Sequence, residues 1–214
     1  MIKLSANLSF LFNEVSFKNK FKEASKVGFK AVEFLFPYEY NVNEIKRYLE
    51  ENKLKLVLFN THPGSWKKGD RGLASKIGRE NEFKDNFYKT IEYANELNCP
   101  NIHVLAGVNN EKSSITKSRD LYIKNLLFCA DLAKKNNFYV LIEAINNIDI
   151  PNYHLNFVSD AISIIKEILN SIIIRVPVST ASVLKKLRSI ITGNMIIVRS
   201  SCIRTIYKNR CAWL

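Results

Sequence analysis

The stretch Tyr139–Pro151, YVLIEAINNIDIP, decides how the rest of the chain is read. Tyr139, Val140, Leu141 and Ile142 form an apolar run, β-branched and aromatic, of the kind that makes a fully buried strand in a parallel sheet. The run leads directly into a carboxylate, Glu143, followed by Ala144, Ile145 and Asn146. In a parallel α/β sheet or barrel, ligands bind at the carboxyl ends of the strands, and an acid held there carries a desolvation cost. Glu143 is therefore a candidate for chemistry, with a buried ion pair to a neighbouring Lys or Arg as the structural alternative.

Working outward toward the N-terminus, the same strand-then-helix rhythm recurs. Lys3–Phe10 begins as a strand and is followed by a helical pattern over Phe17–Gly28, with Phe17, Phe21, Ala24 and Val27 three or four residues apart. Ala31–Phe36 predicts a second strand ended by Pro37, and Val42–Asn52 an amphipathic helix with Asn41 as its N-cap. Leu54–Asn60 is a third strand. A long connection containing several glycines, His62–Gly78, separates it from a helix over Glu80–Leu97. Asn101–Gly107 carries His103 as a fourth strand, and Arg119–Asn136 is the helix before Tyr139. Beyond Pro151 the stripe Val158, Ala161, Ile162, Ile165 and Ile168 predicts a helix over Asn156–Leu169.

Five β-α units in succession give a parallel sheet, and the unbroken repeat favours a (β/α)8 TIM-barrel type over a doubly wound sheet. The rhythm then weakens. Ile172–Val178 offers a doubtful sixth strand broken by Pro177, and Ser179–Ile191 a helix without acids at its N-terminus. The expected architecture is thus an incomplete α/β barrel of five to six β-α units, a body at residues 3–169 and a tail at 170–214.

Charge separates the same two parts. The 214-residue chain carries a net charge of +12, yet from Ser171 onward there are eight Lys and Arg and no Asp or Glu. The 24 remaining basic residues and all 20 acids precede Ser171. The body is only mildly basic, while the tail looks like a shifted reading frame or a replaced terminus. No apolar run of 18 residues occurs, and the N-terminal stretch is too short and too polar for a signal peptide, so a cytoplasmic protein with no membrane contact is expected. The four cysteines are widely spaced and read as reduced packing residues.

Several stretches together resemble the hydroxypyruvate isomerase family of xylose-isomerase-like barrels: ANLSFLFNEVSF at 6–17, VEFLFPYEY at 32–40, LVLFNTHPGSWKKGDRGLAS at 56–75, NIHVLAG at 101–107 and LIEAINNIDIP at 141–151. The resemblance covers about residues 3–169. It implies interconversion of hydroxypyruvate and tartronate semialdehyde, or isomerisation of a related 2-oxo-tetronate, by proton transfer assisted by Mg2+ or Mn2+. Such chemistry needs a base beside the carbonyl, an acid for the neighbouring carbon and a group that holds the enediolate charge. A pair of glutamates flanking a hard cation supplies all three.

Glu143 matches the family's first catalytic glutamate and metal ligand. The family's other ligands, an Asp, a Gln or His and a second Glu on strands six to eight, have no counterpart here, so the resemblance implies an incomplete ligand set and a weak or inactive form. Arg71, in Gly69-Asp70-Arg71-Gly72, is a candidate clamp for a substrate carboxylate, or else a loop residue paired with Asp70. Asn60, His62 and His103 fall at or near strand ends, where a barrel points them into its mouth. Glu33 is a second strand-borne acid, and Asn146 is placed to orient Glu143 or touch substrate.

Two other functional classes compete. One is a nucleic-acid-binding protein using the basic tail, against which three histidines count, because the related DNA-repair barrels use many histidine ligands. The other is a non-catalytic product that self-associates through exposed barrel edges. The glycines of Gly64–Arg71 resemble a phosphate loop but lack the Lys-Ser/Thr that would contact phosphate and metal.

Overall fold

The computed structural model describes residues 4–109, 114–174 and 197–200, with side chains as far as residue 168. Six parallel strands lie in the order of the sequence: β1 (Ala6–Asn7), β2 (Ala31–Glu33), β3 (Lys55–Asn60), β4 (Asn101–His103), β5 (Tyr139–Ala144) and β6 (Ile197–Ser200). Five helices connect them: α1 (Phe17–Lys26), α2 (Val42–Glu51), α3 (Glu80–Glu96), α4 (Ile115–Asn136) and α5 (Val158–Ile174). Each strand pairs with the next in sequence, the order a barrel wall requires, and among the described residues β1 and β6 are the two edges.

The helices form where the periodicity places them, and their buried faces explain why. On α1, Phe21 and Ala24 are buried against Phe34 and Tyr48, whose rings pack on Phe21 at centroid distances of 6.3 and 5.6 Å. Burial of an aromatic side chain of this size contributes about 2–3 kcal/mol. Asn41 caps α2 as expected, its side chain accepting the Asn43 amide at 2.9 Å. Asn137, in the left-handed region at φ 57°, ends α4 and turns the chain into β5.

The structure corrects the sequence reading at three places. Val27 is the C-cap of α1 and 63% exposed, so it leaves the apolar face. On α5 the buried residues are Ala161, Ile164 and Ile168, whereas Val158 and Ile162 are exposed. Within the doubtful strand expected over Ile172–Val178, Ile172–Ile174 extend α5 instead, because a nucleated helix gains a hydrogen bond with each added residue. The boundary expected after residue 169 therefore falls inside a helix. The sixth strand is Ile197–Ser200, in register with β5 through Leu141–Ile197 and Ala144–Ser200. Residues 175–178 and the helix expected over Ser179–Ile191 lie outside the described residues, as do Cys202 and Cys211. Cys99 and Cys129 are buried and free, and burial pushes the Cys99 thiol up to about 12.

Candidate active site

The carboxyl ends of the strands open onto a cavity of about 130 Å3. Its polar lining is Asn7 from β1, Glu33 from β2, Asn60 from β3, His103 from β4 and Glu143 from β5, with Arg71 and Asp149 from two loops. Phe10, Phe34, Phe36, Trp66, Leu105, Ile145 and Ile150 supply much of its apolar wall. Five consecutive strands thus each deliver one polar side chain to one mouth, which follows from every strand end pointing the same way in a parallel sheet.

Glu143 and His103 meet across the β4–β5 pair, His103 Nδ1 lying 3.6 Å from Glu143 Oε2. That is longer than a direct hydrogen bond and close enough for electrostatic coupling. His103 is buried, while Glu143 keeps 16% of its side chain exposed to the cavity. Tyr153 accepts the Ala106 amide at 2.9 Å. Burial raises its phenol pKa, the amide bond opposes this, and the charge of Glu143 adds to the rise. Across the mouth, Glu33 is buried and accepts bonds from Asn7 Nδ2 at 3.1 Å and Ser5 Oγ at 3.3 Å.

Arg71 is positioned by the loop between β3 and α3. The alternative pairing with the Asp70 carboxylate is not what forms. Asp70 is instead held by Arg79 Nη1, 2.7 Å from each of its oxygens, and by the Ser65 amide at 2.7 Å. Burial would raise the Asp70 pKa, but these bonds and the nearby positive charge outweigh it and hold the carboxyl below its usual range. Arg71 bonds to the carbonyls of Asp70 and Trp66 at 2.8 and 3.2 Å and lies over the Trp66 ring at 3.8 Å. Stacking of this kind sets the plane of a guanidinium while leaving part of its fork for a ligand. Gly72, at φ +120°, packs directly on Leu105: a Cβ there would come within 2.5 Å of the Leu105 carbonyl oxygen.

Not every residue expected in the mouth reaches it. His62 lies in the adjoining groove beside Tyr38, at a ring distance of 5.2 Å, with its Nδ1 accepting the Gly64 amide at 3.2 Å. Burial first, then Lys89, lowers its pKa, against opposing pulls from Glu82 and Glu39. Asn146 does not line the cavity either. Its Oδ1 accepts the amides of Ile148 and Asp149 at 2.9 and 3.0 Å, and its Nδ2 donates to Asp149 Oδ2 at 2.6 Å. Asn146 thus fixes the turn that presents Asp149. Asp149, Asn7 and Trp66 are among the lining residues that sequence reasoning does not select; for Asp149 the usable signal is an Asn three residues before an Asp just beyond a strand end.

Among the described residues no three His, Cys, Asp or Glu side chains gather to hold a metal ion. Glu143 and His103 offer one carboxylate and one imidazole, short of the shell of six or more donors expected for Mg2+ or Mn2+. The described donors do not make a complete site for the expected cation.

A parallel β/α wall with its cavity at the strand ends defines the class as a TIM-barrel-type α/β protein. The family model described as "Xylose isomerase-like TIM barrel" matches residues 21–173, and the chain belongs to that family. It is 42% identical over 168 residues to the 2-oxo-tetronate isomerase of Cupriavidus necator and 39% identical over 168 residues to the hydroxypyruvate isomerase of Escherichia coli. Each match covers 78% of this chain and 65% of the relative, so the chain spans about two thirds of the length of these relatives. Among solved structures it is similar to that of an AP endonuclease, family 2, from Brucella melitensis, with TM-score 0.78, 31% identity, and coverage of 94% of this chain and 79% of that one. A D-psicose 3-epimerase from Clostridium cellulolyticum, at TM-score 0.64 and 16% identity, shares the fold. Among the described residues no helix is long and apolar enough to cross a membrane.

Proposed function

We propose that this chain carries the substrate-holding and first proton-transfer part of an isomerase site for small hydroxy-oxo acids, of the hydroxypyruvate or 2-oxo-tetronate kind. The observation that carries this reading is Glu143 at the end of β5, in one cavity with His103 and Arg71. The names of the relatives point the same way.

For hydroxypyruvate, Arg71 takes the carboxylate and Glu143 removes a proton from C3. The electron pair of that C–H bond becomes the C2–C3 double bond, and the carbonyl oxygen becomes an enediolate oxygen. Transfer of the C3 hydroxyl proton to the C2 oxygen, followed by addition of a proton to C2 as the C3–O double bond forms, yields tartronate semialdehyde. Asn60 and His103 line the same cavity and are polar groups able to hold the developing oxygen charge.

The second acid-base group is not supplied by the segment after Ser171, which has no Asp or Glu. We read the residues beyond 173, where the family match ends, as a basic segment foreign to the family, and, among the described residues, the edges β1 and β6 as surfaces for self-association. Turnover by the 214-residue chain is therefore expected at background, because groups that act as a unit lose most of the rate when one is absent. A nucleic-acid reading, suggested by the name of the Brucella protein, is disfavoured by the cavity itself. Three carboxylates and one guanidinium line it among the described residues, where a phosphate backbone needs cations.

The test is hydroxypyruvate turnover by two proteins: the 214-residue chain, and a chimera in which residues after Leu169 are replaced by the corresponding segment of the Cupriavidus relative. Background from the first and clear turnover from the second support the reading. Family-like rates from the 214-residue chain overturn the half-site account, and an inactive, folded chimera overturns the isomerase assignment.

A further inference from the structure

We infer that Asp149, held by Asn146, is a specificity-determining residue: it accepts the hydroxyl at the end of the substrate away from the carboxylate and rejects ligands that carry a second carboxylate there. The inference rests on the isomerase reading and deepens it. Arg71 enters from the loop after β3 and Asp149 from the loop after β5, with β4 between. Both side chains line one cavity of about 130 Å3, together with Glu143 and His103. A three- or four-carbon acid fits a space of that size, with its carboxylate at Arg71 and its far end at Asp149.

The electrostatics of the lining point to the same selection. Arg71 is the one Lys or Arg among the described lining residues, against Glu33, Glu143 and Asp149. A ligand with one carboxylate finds its counter-charge at Arg71. A second carboxylate at the other end meets the Asp149 carboxylate, and among the described residues no Lys, Arg or His forms an ion pair with it to relieve the repulsion. A hydroxyl in the same place donates to Asp149 in a charge-assisted bond. Asn146 makes the acceptor rigid, since its amide at 2.6 Å occupies Oδ2 and its own oxygen ties the Asp149 backbone. With Oδ2 taken by Asn146, Oδ1 is the oxygen on which the inference places the ligand hydroxyl.

D-Glycerate and tartronate test this directly, because they differ only in a terminal CH2OH against a terminal carboxylate and neither turns over. Their affinities for the 214-residue chain are read by calorimetry, with Trp66 fluorescence as a second signal. The wild type is expected to bind glycerate at least about 10-fold more tightly than tartronate. Asp149→Asn should bring the two within about 3-fold, chiefly by tighter tartronate binding, and Asn146→Ala should reduce the preference partway. Arg71→Lys should weaken both ligands alike and leave their ratio in place, with thermal melts confirming that each variant is folded.

A preference that Asp149→Asn leaves unchanged, in a protein where Arg71→Lys still weakens both ligands, overturns the role of Asp149 and leaves the carboxylate site intact. Equal wild-type affinities do the same. Failure of the wild type to bind either ligand overturns both this inference and the isomerase reading.

Discussion

The two loops that deliver Arg71 and Asp149 to the same cavity are built in opposite ways. The loop after β3 is braced by residues distant in sequence or in the next element: Asp70 is clamped by Arg79 at the start of α3, and Gly72 lies flat on Leu105 beyond β4. The loop after β5 is braced at its tip by itself, through three bonds from the side chain of Asn146, and its Ile148 is 90% exposed. Farther along, it is tied at His154, whose amide donates to the Gly107 carbonyl at 2.8 Å and whose ring meets Asn109 at 2.6 Å. One side of the mouth is therefore fixed by tertiary contacts and the other, at its tip, by a local turn. A fixed anchor with a locally set acceptor opposite lets ligand preference change at the second without disturbing the first.

The largest stability effect should come from the braced loop. Asp70→Ala removes two bonds to Arg79 and one to Ser65 and leaves a half-buried guanidinium with Glu82 as its remaining partner. We expect a loss of about 2–3 kcal/mol, discounted for the partial exposure of Arg79, read as a shift in the urea midpoint. Because the folded-state pKa of Asp70 is depressed, its contribution is full at neutral pH and disappears as pH falls through that value. An unchanged midpoint in Asp70→Ala would erase the contrast between the loops.

A smaller effect is expected at His154, where the far end of the β5 loop is tied down. Burial first, then the charge of Arg119, lowers its pKa to about 4, against a smaller opposing pull from Asp160. A folded-state pKa below the unfolded value means that stability is full above about 6.5 and is lost as pH falls from there toward 4. The expected loss between pH 7 and pH 5 is about 1–2 kcal/mol after allowing for partial exposure. His154→Gln should flatten that part of the pH profile; a profile unchanged by the substitution would show that the tie at His154 does not titrate.

Asn146→Ala should have the smallest effect on stability, under about 1 kcal/mol, since the bonds lost lie within one exposed turn. A loss as large as that of Asp70→Ala would mean that the tip of the β5 loop is also held by the rest of the protein.

The same contrast explains what was legible in the sequence. The alternation of strand and helix, and the residues that strands carry to their own ends, follow from periodicity, so the sequence alone brings Glu33, Asn60, His103 and Glu143 to strand ends, where they line the cavity. Arg71 was legible because glycines bracket it. His62 was misplaced because it lies two residues past the end of β3, where the chain has already turned and the side chain faces Tyr38. Asp149 was missed because an acid in an Asn-rich turn has the composition of a solvated loop, and only the bonds from Asn146 show it to be held in place. The strand expected at Ile172 fails over Ile172–Ile174 for a different reason: a short apolar run has no period that separates strand from helix, and the preceding turns of α5 decide it.

The central claim is that Glu143, at the end of β5, is the group that takes the proton. The most direct measurement is kcat for hydroxypyruvate isomerisation by the chimera with the Cupriavidus segment, compared with its Glu143→Gln variant. The substitution keeps the size of the side chain and removes the base, and the account predicts a fall in kcat of roughly 10²- to 10⁴-fold in a protein with an unchanged melting profile. Near-normal turnover by folded Glu143→Gln would contradict it.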